Sequence, residues 1–169
     1  YKRQKRVLVS KPPINEIDRV VIQGVNHNDI QYSDKIISTT SSTTQVLALM
    51  MKILDDNFGI ERAMMTTVHA YTSDQPLADA VRSDLRRSRS AVENIIPNET
   101  WAPDYVAQLM PKFEGKISGI AMNVPVANGS CIDLTTEMTK MPTIEDVNQS
   151  FQKYIFKFYK NISQILLIF

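Results

Sequence analysis

Residues 38–72 read STTSSTTQVLALMMKILDDNFGIERAMMTTVHAYT, and this stretch decides the fold. From position 46 to position 54, apolar residues recur at the spacing of one buried helix face. Hydroxyl side chains are good N-caps, so we expect this helix to begin near residues 41–43 and to stop at Gly59. The residues that follow read as a strand, with Thr67 and His69 on one face. The sequence therefore predicts a helix that ends at Gly59, followed directly by a strand, and we take this pair as the frame around which the other elements are placed.

Shorter elements flank this frame on both sides. Before it, β-branched runs at residues 7–9 and 20–22 predict two strands joined by a turn. After it, residues 116–125 and 129–138 predict two further strands, and helices are expected at 105–110 and from Thr143 onward. The stretch at 82–90 is rich in arginine and has no apolar period, so it is predicted to be an exposed loop.

Composition argues against several classes of protein. The chain has 169 residues, of which 43% are hydrophobic and 22% charged, as in an ordinary globular protein. A net charge of +1 argues against a nucleic-acid binder that is steered by a basic field. One cysteine, Cys131, leaves neither an intrachain disulfide nor a cysteine-rich zinc site, and it is predicted to be a small buried residue. We expect a cytoplasmic chain with no metal, nucleic acid or membrane partner.

The seven consecutive hydroxyl residues at 38–44 exceed what one helix cap needs. Unpaired amides and the positive end of the helix dipole meet at a helix start, so an anion or phosphate site is one interpretation and a simple cap is the other. His69 is either a satisfied core residue or, if it faces the helix start, a base for Ser42 in a hydrolase. The arginines at 82–90 are a solvated loop, a subunit contact or a phosphate grip.

Four motifs occur in an order that resembles the glyceraldehyde-3-phosphate dehydrogenase family. They are STTSSTTQVLAL, DNFGIERAMMTTVHAYTSDQ, RRSRSAVENIIP and GKISGIAMNVPVANGSCIDL. The resemblance implies a Rossmann-type NAD-binding domain followed by an α+β catalytic domain, in which an antiparallel sheet carries helices on one face. It divides this chain into a remnant of the first domain at 1–37, an incomplete catalytic domain at 38–150 and an atypical tail at 151–169. None of the five glycines forms G-x-G-x-x-G, so we expect a truncated homologue.

The resemblance also implies roles for individual residues. The family's nucleophilic cysteine falls at Ser42, and its acid/base histidine falls at His69. Positions that contact the substrate or its phosphates, and one that contacts the nicotinamide cofactor, match a further set: Ser41, Thr43, Thr72, Thr100, Trp101 and Asn123 for the phosphates and Ser10 for the cofactor. By family, then, the chain is an NAD-dependent enzyme that acts on glyceraldehyde 3-phosphate and phosphate as a homo-oligomer, a tetramer in the family.

Three departures from the family pattern fall on this set of residues. Ser42 replaces the cysteine, Trp101 stands where the family has glycine, and Asn123 stands where it commonly has arginine. A thiol can ionise near neutral pH at a helix start, whereas an alcohol in the same place does not. We therefore expect an inactive relative of the enzyme. The alternatives are a non-catalytic module for subunit interaction or anion binding, a hydrolase built on Ser42 and His69, and a non-functional gene fragment.

Overall fold

The computed structural model describes residues 4–158 and divides them into two compact units. The first unit comprises residues 4–61 and 137–158, and the second comprises residues 62–136. Residues 159–169, which hold most of the predicted atypical tail, lie outside the described residues. The predicted domain boundaries at residues 37 and 150 stay predictions.

The first unit contains a three-stranded parallel sheet. Its strands are β1 (Val7–Val9), β2 (Arg19–Val20) and β3 (Ile36–Ser38), and β3 lies between the other two. Two strands were predicted here, but they do not form a hairpin, because each pairs with β3. The carboxylate of Asp18 accepts hydrogen bonds from the backbone amides of Lys35 and Ile36, at 2.9 and 2.7 Å, which fixes the start of β3.

Helix α1 (Ser42–Phe58) packs against helix α3 (Ile144–Phe158) in this unit. The predicted bounds of α1 are confirmed: Ser41 is its N-cap, and Gly59 ends it with φ +72° and an amide that donates to Asp55 O at 3.0 Å. One face of α1 is buried and comprises Thr44, Leu47, Ala48, Met51, Ile53 and Leu54. The predicted capping box of α3 is confirmed too, since Asp146 N donates to Thr143 Oγ1 at 3.2 Å and Thr143 N donates to Asp146 Oδ2 at 2.9 Å.

A four-stranded sheet has the order β5-β6-β4-β7. Its strands are β4 (Ile60–Ala70), β5 (Ile96–Asn98), β6 (Ile117–Val124) and β7 (Ser130–Met138). The α+β class is confirmed, but the sheet is mixed where an antiparallel sheet was expected, because β4 and β6 are parallel while β5 and β6 are antiparallel. A long crossover links β4 to β6, and such a connection is what parallel neighbours require.

Helix α2 (Ala102–Leu109) packs on β6 in the second unit. The close approach depends on Gly119, where an added Cβ would lie 3.0 Å from Pro103 Cγ and 3.1 Å from the carbonyl oxygen of Met65. The core of this unit consists of buried side chains from the sheet, from α2 and from the segments that connect them: Ala63, Met65, Ala91, Ile96, Ala102, Val106, Phe113 and Ala121. Residues 82–89 are mostly exposed, as predicted, and include a short 3₁₀ turn at Arg86–Ser88.

The prediction that Cys131 is buried is wrong, because its side chain is exposed on β7. Alternate residues of a strand share a face, and Cys131 shares its face with Asp133 and Glu137, which are also exposed. Because this face of β7 carries charged side chains, it is the face that points away from the core.

Candidate functional site

At the start of α1, several hydroxyl groups form hydrogen bonds that stabilise the fold. Ser41 Oγ accepts a hydrogen bond from Thr44 N at 3.1 Å and lies 2.8 Å from Thr44 Oγ1. Ser38 Oγ donates to Lys11 O at 2.6 Å and accepts from Thr40 N at 3.0 Å. Ser38, Thr40 and Thr44 are at most 1% exposed. These contacts explain why the hydroxyl run is longer than a single cap requires, so its length alone is no sign of an anion site.

Thr40 connects β3 to α1 through a strained backbone. Its φ is +60°, in the left-handed region that β-branched residues rarely adopt. Such a conformation costs on the order of 1–3 kcal/mol and persists only where the surroundings enforce it. Here its amide is bound by Ser38, and the Thr39 amide donates to Val9 O at 2.9 Å. The helix therefore begins at a fixed point beyond the strand.

Ser42 is the first residue of α1, and it is exposed. Its hydroxyl forms no hydrogen bond with the part of the chain that the structure describes, in contrast to Ser41 beside it. The amides of the first helical residues have no acceptor within the helix, and the helix dipole places partial positive charge there. This environment stabilises an anion at position 42. It can lower the pKa of a thiol far enough to ionise it, but not that of an alcohol.

His69 lies near the end of β4 with a hydroxyl group on each ring nitrogen. Nε2 is 2.9 Å from Thr67 Oγ1, and Nδ1 is 2.9 Å from Ser130 Oγ on β7. A hydroxyl can both donate and accept, so these partners can accommodate either protonation state of the ring. The two hydroxyls therefore hold the ring in place. The strand pattern in the sequence predicts that Thr67 lies on the same face as His69. It does not predict the contact with Ser130, which is 61 residues away in sequence.

Asn123 is the register partner of His69 in the parallel pair of β4 and β6. Its side-chain oxygen accepts a hydrogen bond from Asn98 Nδ2. An amide held in this way offers no positive charge to a phosphate, unlike the arginine that the family commonly has here. Asn98 is thus a further residue of this group that the sequence pattern missed.

Thr72 is bound within its own loop. Its hydroxyl donates to Asp74 Oδ1, and its amide donates to Gln75 Oε1 at 2.9 Å. The Thr72 hydroxyl, followed by the positive charge of Arg87, holds the pKa of Asp74 below its ordinary value. Because Asp74 stays ionised, the Thr72 hydroxyl faces a carboxylate in this structure.

The arginines at 82–89 mostly bind their own loop. Arg87 pairs with Asp74, and Arg82 donates to the carbonyl oxygen of Asp74. Arg89 Nε lies 3.2 Å from Asp79 Oδ1. These contacts favour the interpretation as a structured loop over the one as a phosphate grip.

Thr100 and Trp101 lie together at the start of α2. Thr100 Oγ1 accepts a hydrogen bond from Ala102 N at 3.3 Å. Trp101 is the N-cap residue of α2, and its side chain is 70% exposed. The Thr100 hydroxyl thus accepts a hydrogen bond from the first residue of α2, and the indole beside it is exposed.

Ser10 follows β1 and is exposed. The turn after β1 contains Pro12 and Pro13, has no glycine and does not lead into a helix. A dinucleotide pyrophosphate is normally held by a glycine-rich turn at a helix N-terminus. The described residues therefore do not fit a whole dinucleotide, and Ser10 is one residue that could contact part of it.

Two further findings concern residues 4–158. Within that range, no helix has both the length and the apolar character that crossing a membrane requires. In the same range, no group of three or more His, Cys, Asp or Glu side chains is arranged to hold a metal ion.

Comparison with known proteins gives consistent matches. The family model described as glyceraldehyde 3-phosphate dehydrogenase, C-terminal domain, matches residues 41–166, more than half of the chain. The chain is 44% identical over 162 residues to a glyceraldehyde-3-phosphate dehydrogenase of Mycobacterium avium, covering 92% of this chain and 48% of the relative. It is 46% identical over 150 residues to that of Streptomyces coelicolor, covering 88% and 44%. Against glyceraldehyde-3-phosphate dehydrogenase 1 of Bacillus cereus, identity is 44% over 149 residues, again covering 88% and 44%. The chain thus spans about half the length of these curated relatives.

Proposed function

The chain belongs to the glyceraldehyde-3-phosphate dehydrogenase family, and from this premise we propose that it is an inactive relative of the NAD-dependent enzyme that oxidises and phosphorylates glyceraldehyde 3-phosphate. The observation that supports inactivity is Ser42, an alcohol at the helix start where the family pattern has its nucleophilic thiol. As proposed, residues 1–37 are the remnant of the NAD-binding domain, residues 38–150 are the catalytic domain, and the setting is cytoplasmic.

The first chemical step requires an anion at position 42. In the family, this group attacks the aldehyde carbon, the adduct becomes an acyl group by losing a hydride to NAD, and phosphate then cleaves the acyl group from position 42. The first turn of α1 would stabilise such an anion, but Ser42 stays protonated because an alcohol is a much weaker acid than a thiol. An acyl group on Ser42 would also be an ester, which transfers to phosphate less readily than a thioester. Loss of a nucleophile that acts as part of a coupled group lowers the rate by about 10⁶ in comparable enzymes.

His69 retains what an acid/base residue needs. Thr67 and Ser130 hold both of its ring nitrogens, and their hydroxyls can exchange donor and acceptor roles as the ring gains or loses a proton. We assign to His69 the proton transfer at the substrate oxygen. This role has no effect on turnover while position 42 lacks a nucleophile.

The phosphate-binding residues of the proposal differ in how well they suit an anion. Thr43 is half-buried in the first turn of α1, where the helix dipole favours negative charge. Ser41 and Thr100 are occupied as caps, and Thr72 donates to a carboxylate. Neutral Asn123 and the indole of Trp101 replace groups that would attract phosphate. As proposed, then, phosphate and substrate bind weakly. NAD use is a property of the family, and among residues 4–158 we assign a contact with NAD to Ser10.

The test is NADH formation from glyceraldehyde 3-phosphate, NAD and phosphate, followed by absorbance. We expect the chain and its His69→Ala variant to give the same background rate. Ser42→Cys should also give background in these 169 residues alone, because they span only about half the length of the curated relatives. The same variant fused to the nucleotide-binding half of a relative should gain activity. A rate for the unaltered chain above that of His69→Ala would overturn the proposal.

A second candidate function is that of a non-catalytic subunit that associates with copies of itself or with a longer homologue. It is favoured by large apolar side chains that are exposed on the segment between β4 and β5: Leu77, Val81, Leu85 and Ile95, each at least 65% exposed. Mixing with a full-length relative and measuring the mass of the product by light scattering tests this. A mixed complex that Leu85→Ser weakens, while Val46→Ser on α1 does not, supports association. A chain that stays monomeric in the mixture contradicts it.

A further inference from the structure

An open cleft of about 620 Å³ lies in the second unit, between the arginine-rich loop and the start of α2. Small-molecule sites typically have volumes of roughly 300–1,000 Å³. Its lining includes Arg86 and Arg87 on one side and Asn98, Glu99 and Trp101 on the other. Two of its lining residues have roles above: Trp101 holds a position that contacts phosphate in the family, and Leu85 belongs to the proposed association surface. The remaining lining residues have no role in the proposed family reaction.

Trp101 gives the cleft an unusual surface. Its indole is 70% exposed, although tryptophan is among the side chains that lose most by facing water. The backbone around it is fixed, because Trp101 is the N-cap residue of α2 and its carbonyl oxygen accepts from Tyr105 N at 3.1 Å. The family pattern has glycine at this position, so the indole is a feature of this chain. A fixed, open indole is a platform on which a flat ring can stack.

Arg86 supplies the charge. Its guanidinium has no acceptor among residues 4–158, whereas Arg82, Arg87 and Arg89 each bind an aspartate or its carbonyl. The backbone of Arg86 is nevertheless held, since its amide donates to Asp84 Oδ1 at 2.9 Å. That carboxylate also accepts from Arg87 N at 3.2 Å, so it is bound to backbone amides. Arg86, whose guanidinium forms no ion pair with residues 4–158, therefore lines the same cleft as the exposed indole of Trp101.

We propose that this cleft binds a small aromatic anion, a flat ring that carries one carboxylate or phosphate group. The ring stacks on Trp101, and the anionic group pairs with Arg86, an interaction for which the guanidinium is well shaped. Glu99, exposed at the cleft, opposes the anion and limits its affinity. The proposal does not depend on catalysis by Ser42 or His69.

Binding can be measured directly because Trp101 is the chain's one tryptophan. The unaltered chain is titrated with phenyl phosphate and with benzoate while the indole fluorescence is followed, and the comparison of the two shows which anion is preferred. Phenol and inorganic phosphate serve as the two halves of the ligand. We expect saturable quenching by at least one aromatic anion, and half-saturation at least about tenfold higher for either half alone. If phenol or inorganic phosphate saturates at the same concentration as the aromatic anions, the proposal is wrong.

Variants locate the site. Arg86→Gln should raise the half-saturation concentration about tenfold, while the control Arg89→Gln, on an exposed arginine that does not line the cleft, should leave it within about twofold. Glu99→Gln should lower it. Ligand-observed NMR extends the test to variants without an indole, and there Trp101→Phe should retain binding while Trp101→Gly loses it. Equal weakening by Arg86→Gln and Arg89→Gln, or unchanged binding in Trp101→Gly, would overturn the assignment. Circular dichroism confirms that each variant is folded.

Discussion

The start of α1 and the end of β4 hold two parts of one expected chemistry, and they differ in how much the fold depends on the reacting residue. At the start of α1, Ser38, Ser41 and Thr44 carry the hydrogen bonds, and Ser42 carries none with the described residues. At the end of β4, the reacting group itself, His69, is bound by two hydroxyls. A residue that makes no such hydrogen bond can be exchanged at little cost in stability. The comparison is therefore consistent with the proposal that position 42 has lost a nucleophile while His69 and its partners remain.

The largest effect is expected from restoring a thiol at position 42. In Ser42→Cys made with Cys131→Ser, the helix start should lower the thiol pKa, because partial positive charge stabilises the thiolate. The unaltered chain provides an exposed thiol, Cys131, on the edge strand β7 rather than at the start of a helix. We expect iodoacetamide to alkylate position 42 about tenfold faster or more at pH 6.5. Mass spectrometry of the alkylated fraction over time gives both rates.

Equal rates would mean that the start of α1 does not activate an anion. The proposed absence of catalysis could then no longer be attributed to the side chain at position 42 alone. Adding His69→Ala to the Ser42→Cys chain separates the two regions. If the rate stays high, the helix start acts by itself, and if it falls to the Cys131 rate, the activation comes from the histidine.

An intermediate effect separates the two adjacent serines. Ser41→Ala removes the side chain that accepts from Thr44 N, and loss of such a cap costs about 1 kcal/mol of the free energy of unfolding. Ser42→Ala, one residue on and exposed, should change it by less than about 0.5 kcal/mol. Urea denaturation followed by circular dichroism measures both. Equal losses would show that Ser42 also supports the fold, and the explanation for its exchange would fail.

Length and periodicity made part of the fold predictable. The long elements α1 and β4 repeat their apolar spacing often enough to be recognised, and capping residues marked the start of α1 and of α3. Strands β3 and β5 have three residues each, too few for a period, and both were missed, whereas the equally short β1 was predicted from its run of β-branched residues. The parallel pairing of β4 and β6 was not predictable either, because it joins segments about fifty residues apart and depends on the path of the chain between them.

In the candidate sites, too, the contacts within one element could be predicted from the sequence and those between elements could not. Sequence spacing placed Thr67 beside His69 because they are two residues apart on one strand. It could not find Ser130 or Asn98, which reach their partners across neighbouring strands. The run of hydroxyl residues was given a possible role as an anion site from its length, whereas buried contacts of Ser38 and Thr40 account for much of it. Local patterns therefore predict which residues share an element, and tertiary contacts decide what those residues do.

The smallest effect is a dependence on pH that should distinguish the loop after β4 from the start of α1. The pKa of Asp74 is lowered in the folded chain by the Thr72 hydroxyl and by Arg87. A carboxyl with a lowered pKa stabilises the fold above its unfolded pKa of about 3.9, and this contribution is lost as the pH falls through the folded-state value. Because Asp74 is exposed, solvent screening limits the contribution to a few tenths of a kcal/mol.

Asp74→Asn should therefore lower the free energy of unfolding slightly at pH 7, and the difference from the unaltered chain should be smaller at a pH below the unfolded-state pKa of about 3.9. Ser41→Ala acts through a neutral hydroxyl, so its loss should be the same at both pH values. Urea denaturation of both variants and of the unaltered chain at the two pH values makes the comparison. If the Asp74→Asn difference persists unchanged in acid, the carboxylate acts through packing rather than through charge. The loop that bears Thr72 would then be held as the helix start is, by neutral contacts, and protonation would not release the Thr72 hydroxyl.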